Sequence, residues 1–140
     1  MTTIETWEPG RAGPAGHQFR AWLGLLAAVA LLRLLPFRYV TRTARLARRF
    51  GRRPMFPERA EAMVDAVRWA GRRWPVRVAC METSLGAVLA CALAGERLTW
   101  CVGARVAPPV EYHAWASLPG GGPVREYTRG GWHYLPALKI

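Results

Sequence analysis

A helix apolar enough to be buried, with a cysteine at its head, constrains this chain more than any other stretch. From Met81 the apolar residues Met81, Leu85, Val88, Leu89 and Ala92 recur at the i, i+4, i+7, i+8, i+11 spacing of one helical face, and Gly95 supplies a stop. Cys80 falls in or just before the first turn. Unpaired backbone N–H groups and the positive end of the helix dipole favour an anion there, which is how a thiol becomes a thiolate near neutral pH. A cysteine alone is usually a packed apolar residue, so this position makes a nucleophile only if the chain also supplies a base.

The candidate base lies downstream. Tyr112-His113-Ala114-Trp115-Ala116-Ser117-Leu118 reads as a strand carrying a histidine, Pro119-Gly120-Gly121-Gly122-Pro123 is a turn signal, and Val124-Arg125-Glu126-Tyr127-Thr128 follows as the returning strand. A hairpin folded about Pro119-Gly120 sets Glu126 directly opposite His113. Folding one residue later pairs Glu126 with Trp115 and leaves it a same-face diagonal neighbour of His113. A turn centred between these two choices sends Glu126 to the other face. Cysteine, then histidine, then carboxylate, with base and orienter on adjacent strands packed against the nucleophile's helix, is the arrangement of a thiol acyl-transfer site. The expected fold class is α+β, a nucleophile helix on a small antiparallel sheet with an N-terminal helical extension.

At these residues the sequence resembles the stand-alone leader peptidases of lasso-peptide biosynthesis, small bacterial cysteine proteases. The resemblance covers residues 55–130 and is carried by the order and spacing of Ala79-Cys80-Met81-Glu82-Thr83-Ser84-Leu85, Leu98-Thr99-Trp100-Cys101-Val102-Gly103 and His113-Ala114-Trp115. It implies a transglutaminase-like, papain-related fold and removal of the leader from a ribosomally made precursor peptide. It also implies two partners: a separate leader-binding protein that presents the precursor, and an ATP-using cyclase that closes the ring on the freed amine. Many members carry an aspartate where this chain has Arg125 and Glu126. Glu126 fills the role chemically, on a longer side chain.

At 140 residues the chain makes one modest domain that needs no staples. Its three cysteines cannot all pair, and their spacings fit no zinc motif. Cys80 and Cys91 on one helix would sit roughly 16 Å apart, too far to bridge. A reducing, cytoplasmic setting is the expectation. No Gly-rich phosphate loop or ligand cluster calls for a nucleotide, a metal or another cofactor. The net charge of +11 comes from nineteen arginines and a single lysine, Lys139, a bias that base composition explains. Its sign still attracts acidic peptides, nucleic acid or anionic lipid. Without interleaved aromatics, an RNP-like strand or a helix-turn-helix pattern, nucleic acid is not among the expected partners.

Three segments organise the chain. Residues 1–17, with Pro9, Gly10, Gly13, Pro14 and Gly16, read as a mobile arm. Residues 18–54 form a basic and apolar helical extension. Its run from Ala21 to Leu32 is too short to span a bilayer, and no small-residue cleavage site follows. That run reads as a helix packed on the domain or on a partner, with interfacial contact at the inner membrane face as the alternative. Arg38 to Arg53 reads as a solvated helix face or an anion-binding surface.

Residues 55–140 form the peptidase domain. A helix from Glu58 to Trp74 carries Ala60, Met63, Val64, Val67 and Ala70 on its core face, while Asp65, the chain's one aspartate, sits among exposed positions. Leu98 to Val102 alternates as a strand that Gly103 ends, with Cys101 a packed thiol. Pro108-Pro109 leads into the histidine strand. The aromatic tail Trp132-His133-Tyr134-Leu135-Pro136 either covers an edge strand or lines a groove. His17 and His133 lack a catalytic setting.

In the expected reaction the Cys80 thiolate attacks the scissile carbonyl, and His113 holds the thiol proton and later protonates the leaving amine. Glu126 fixes the imidazole tautomer, and the Cys80 N–H is the first donor to the oxyanion. The rival readings are amide transfer or amidase chemistry on the same fold, and a basic adaptor at a membrane or nucleic acid in which Cys80 is merely buried.

Overall fold

The computed structural model of the chain describes residues 13–53, 55–75, 78–105, 111–126 and 134–140. Residues 1–12 of the arm, Pro108-Pro109, Tyr127, Thr128, Trp132 and His133 lie outside the described residues.

Proline sets the helix boundaries in the first half. Helix α1 spans Ala15–Leu34 and α2 spans Phe37–Phe50. Pro36 between them has no N–H to continue α1 and pushes Leu35 into an extended conformation. Helix α3, Pro57–Arg72, opens on a proline whose missing N–H the first turn does not need. Helix α4, Cys80–Leu93, is the element the others surround: α1, α2 and α3 all seat on it, and so does the sheet. The consecutive residues Ser84, Leu85, Gly86, Ala87 and Val88 are all buried, so every face of its middle is covered. That is why the sequence there is apolar all round and not on one stripe.

Helix α1 meets α4 at backbone distance. A Cβ on Gly24 would lie 2.4 Å from the Gly86 carbonyl oxygen, and Ala21, Leu25 and Ala28 beside it are fully buried. By length and composition α1 passes as a membrane span, yet this face belongs to the core of the domain. Gly24→Ala is therefore expected to destabilise the fold by about 1–3 kcal/mol through overpacking. Gly16→Ala, whose added carbon meets nothing within 4 Å, is the neutral control. Equal urea midpoints for the two variants would contradict the close crossing.

Strands β1 (Thr99–Arg105), β2 (Tyr112–Ser117) and β3 (Tyr134–Lys139) form an antiparallel sheet in the order β2-β1-β3. The aromatic tail thus supplies an edge strand, where Pro136 is tolerated. β1 runs through Gly103 instead of ending there. A bulge between Val102 and Gly103 lets β3 approach so closely that a Cβ at Gly103 would lie 2.1 Å from the Leu135 carbonyl oxygen. Trp100 and Ala116 join the helical core, and the Trp100 indole N–H donates to Ser84 Oγ at 3.0 Å, tying α4 to β1. The opposite face carries Cys101, Trp115 and Tyr134.

Over its described residues, 124–126, the expected returning strand after β2 does not form. The turn does: Ser117 bridges Pro123, and the Val124 N–H donates to the Ala116 carbonyl at 2.8 Å. This is the register centred between the two alternatives, which on a continued strand would turn Glu126 away from His113. Pairing stops at Val124. Arg125 then takes a left-handed φ of 54°, and the reversal brings Glu126 back to the histidine.

Candidate active site

The head of α4 is left open by its own sequence. Ala79 at the N-cap has no side-chain oxygen to offer the helix. Glu82 reaches back to accept the Ala79 N–H at 3.1 Å, and the first intrahelical bond runs from the Thr83 N–H to the Ala79 carbonyl at 3.1 Å. The N–H groups before Thr83, that of Cys80 among them, are not consumed by the helix. Cys80 itself is half-buried, with access to solvent.

The outer edge of β2 faces this helix end. In an antiparallel pair alternate residues point their backbone groups to opposite sides. Ala116 points outward to Val124, and Ala114 two residues earlier does the same. The Ala114 backbone hydrogen-bonds the Cys80 sulfur, and so does the ring of His113. On its other side the ring meets a carboxylate, with Nε2 of His113 at 3.1 Å from Oε2 of Glu126. Nδ1 is the nitrogen left for the sulfur. Trp115 stacks beside the imidazole at 5.9 Å between centroids and Tyr134 tilts against it at 5.0 Å, which holds the ring plane.

Charge follows from this geometry. Burial pushes the Cys80 thiol up, but the bonds from His113 and the Ala114 backbone, with the charge on His113, outweigh it and hold the thiol below 9.0. Burial pulls His113 down, but hydrogen bonds and charges from Cys80 and Glu126 lift it from 6.5 to about 9. The thiol moves down and the imidazole up, the sense that favours a thiolate–imidazolium pair, and two groups so close titrate as a unit. The other two cysteines are of a different kind. Both Cys91 and Cys101 are buried and their thiols are raised, chiefly by that burial.

Cys80, His113 and Glu126, the three residues expected from sequence, come together in the structure. Behind them stands a residue not expected from sequence. Arg68 of α3 has 7% of its side chain exposed, and it donates to the Arg125 carbonyl at 2.8 Å and to Oε1 of Glu126 at 3.0 Å. One turn earlier, Asp65 accepts from Nε of Arg125 at 3.0 Å. Asp65 is therefore partly buried and structural, where an exposed position was expected. It grips the segment next to Glu126 and not the imidazole. The available signal for Arg68 was its place: it lies four residues after Val64 and three before Gly71, beside the apolar stripe of α3.

No curated protein and no solved structure matches the chain. Among family models, that of the transglutaminase-like superfamily matches residues 22–138. Since this match begins inside α1 and ends in β3, it takes in every element that holds the three side chains, and the chain belongs to the transglutaminase-like superfamily.

Proposed function

We propose that the protein is a cysteine peptidase that removes the leader from a ribosomally made lasso precursor peptide. The observation that carries the proposal is the paired Cys80 and His113, with Glu126 behind the ring. In this reading Cys80 Sγ attacks the scissile carbonyl to give a thioester, and His113 delivers its proton to the leaving amine. Water then resolves the thioester, with His113 as the base. In the same reading the Cys80 N–H, which the helix does not consume, is the first donor to the developing oxyanion.

The finer assignment, to leader removal, rests on the segments around Cys80, Trp100 and His113 that resemble the lasso leader peptidases. A domain this small has little surface for reading an extended substrate, so a separate leader-binding protein presents the precursor. An ATP-dependent cyclase then takes the freed amine. The test is to incubate the protein with a lasso precursor, with and without the leader-binding protein, and weigh the products. Hydrolysed precursor that depends on the binding protein is expected. Equal turnover without that protein removes the partner from the proposal, and an amine-linked adduct in place of hydrolysis favours amide transfer.

The state of the thiols gives a simpler check. With iodoacetamide at pH 7, Cys80 is expected to be alkylated at least tenfold faster than Cys91 or Cys101, read by peptide mapping, because only Cys80 is accessible and has its thiol lowered, while burial raises the other two. Equal sluggishness at all three would return the chain to the adaptor reading.

A further inference from the structure

We propose that α1, α2 and the corner between them form a docking surface for an anionic lipid bilayer, lying on it without spanning it. This rests on surface residues that take no part in the thiol site and is independent of the proposed reaction.

Residues 13–57 hold nine arginines and not one aspartate or glutamate. Base composition accounts for many arginines but not for the segregation of every carboxylate out of this segment. On α2, Arg38, Arg42, Arg45 and Arg49 recur at i, i+4, i+7 and i+11, all exposed, opposite the buried Val40, Ala44 and Ala47. On α1, Phe19, Leu23, Leu26 and Leu34 are exposed along one stripe, opposite the face seated on α4. The sixteen residues from Phe19 to Leu34 carry that stripe over about 22 Å. The two surfaces meet at Arg33-Leu34-Leu35-Pro36-Phe37-Arg38, where Leu34 is 78% exposed and an apolar tip stands between two cations.

An acidic peptide would match the arginines but leave the apolar stripe in water. A bilayer interface takes both at once, with phosphates for the guanidinium groups and acyl chains for Leu26 and Leu34. Spanning is ruled out by the core: the Gly24–Gly86 contact holds α1 against α4, and pulling it free would open the center of the domain.

The test is co-sedimentation of the full chain with vesicles of phosphatidylcholine alone, or with about one third phosphatidylglycerol. Binding to the anionic vesicles only, lost as salt rises to about 0.5 M, is expected. Leu26→Ser with Leu34→Ser, and separately Arg38→Gln with Arg42→Gln, should each lower partition about tenfold or more while leaving the urea midpoint and Cys80 alkylation unchanged. Absence of binding at low salt overturns the proposal. So does wild-type partition of the serine variant. A solution dimer that the serine variant dissociates assigns the face to a second copy instead, and polyglutamate binding without vesicle binding assigns it to acidic peptides.

Discussion

His113→Ala is expected to slow alkylation of Cys80 at pH 7 by about a hundredfold and to lower peptide turnover by about a thousandfold or more. Two separate losses make the second figure larger. Burial alone raises the Cys80 thiol, and the hydrogen bond and charge of His113 are chief among the forces that reverse it. Without the ring the sulfur is a half-buried thiol above its ordinary 9.0, and on the order of 1% or less of it is ionised at neutral pH. Turnover also loses the acid that protonates the leaving amine.

The pH dependence carries the same logic with a definite sign. Under the proposed reaction, activity is expected to rise as Cys80 gives up its proton, at a pH below the ordinary thiol value, and to fall as His113 gives up its own near pH 9. Glu126→Gln weakens the bond and removes the charge that hold the imidazolium proton, so the descending limb moves down, toward the ordinary 6.5. Alkylation rates and turnover measured from pH 5 to 10 in the three proteins check both statements. Wild-type alkylation by His113→Ala at pH 7 would separate the histidine from the thiol and remove the basis of the catalytic reading.

The elements that lie on local pattern were legible in the sequence. Gly95, Pro36 and Pro57 mark their boundaries by what they do to a backbone, and the span from Cys80 to Leu93 follows from apolar spacing alone. Cys80 is legible because a helix start is a local property. Glu126 was reached by a premise that the structure replaces. Strand register alone would place it, whereas the chain arrives there through a left-handed residue, Arg125, a conformation that arginine has no propensity to adopt. What holds that residue is Asp65 and Arg68, sixty and fifty-seven positions away in sequence. Contacts at that separation have no local signature, and in a chain with nineteen arginines a single inward one is lost in the background. Gly103 shows a similar limit: read as a strand end, it is a strand interior that admits a neighbouring backbone, and the difference depends on a partner strand more than thirty residues away.

That long-range support predicts the second large effect. Arg68→Met is expected to destabilise the fold by about 3–5 kcal/mol and to cost most of the activity of the folded fraction. The guanidinium and the Glu126 carboxylate, 7% and 4% exposed, are a buried pair, and removing the arginine leaves the carboxylate only the His113 ring, which is shared with Cys80, as a partner. The same substitution strips the donor from the Arg125 carbonyl at a residue already in a left-handed conformation. Arg68→Lys keeps the charge but cannot reach both the carbonyl and the carboxylate with one ammonium, so it should recover part of the stability and little of the activity. A purely structural arginine would stop there. As a positioning residue for Glu126, Arg68 should also govern the imidazolium: the folded fraction of Arg68→Lys should show its descending pH limb displaced downward, in the same direction as Glu126→Gln. Combining Arg68→Met with Glu126→Gln removes both charges of the buried pair, and the double variant should be more stable than the sum of the two single losses by more than about 0.5 kcal/mol. Additive losses in urea, with the pH limb of Arg68→Lys unmoved, would make the arginine a core residue with no part in setting the histidine.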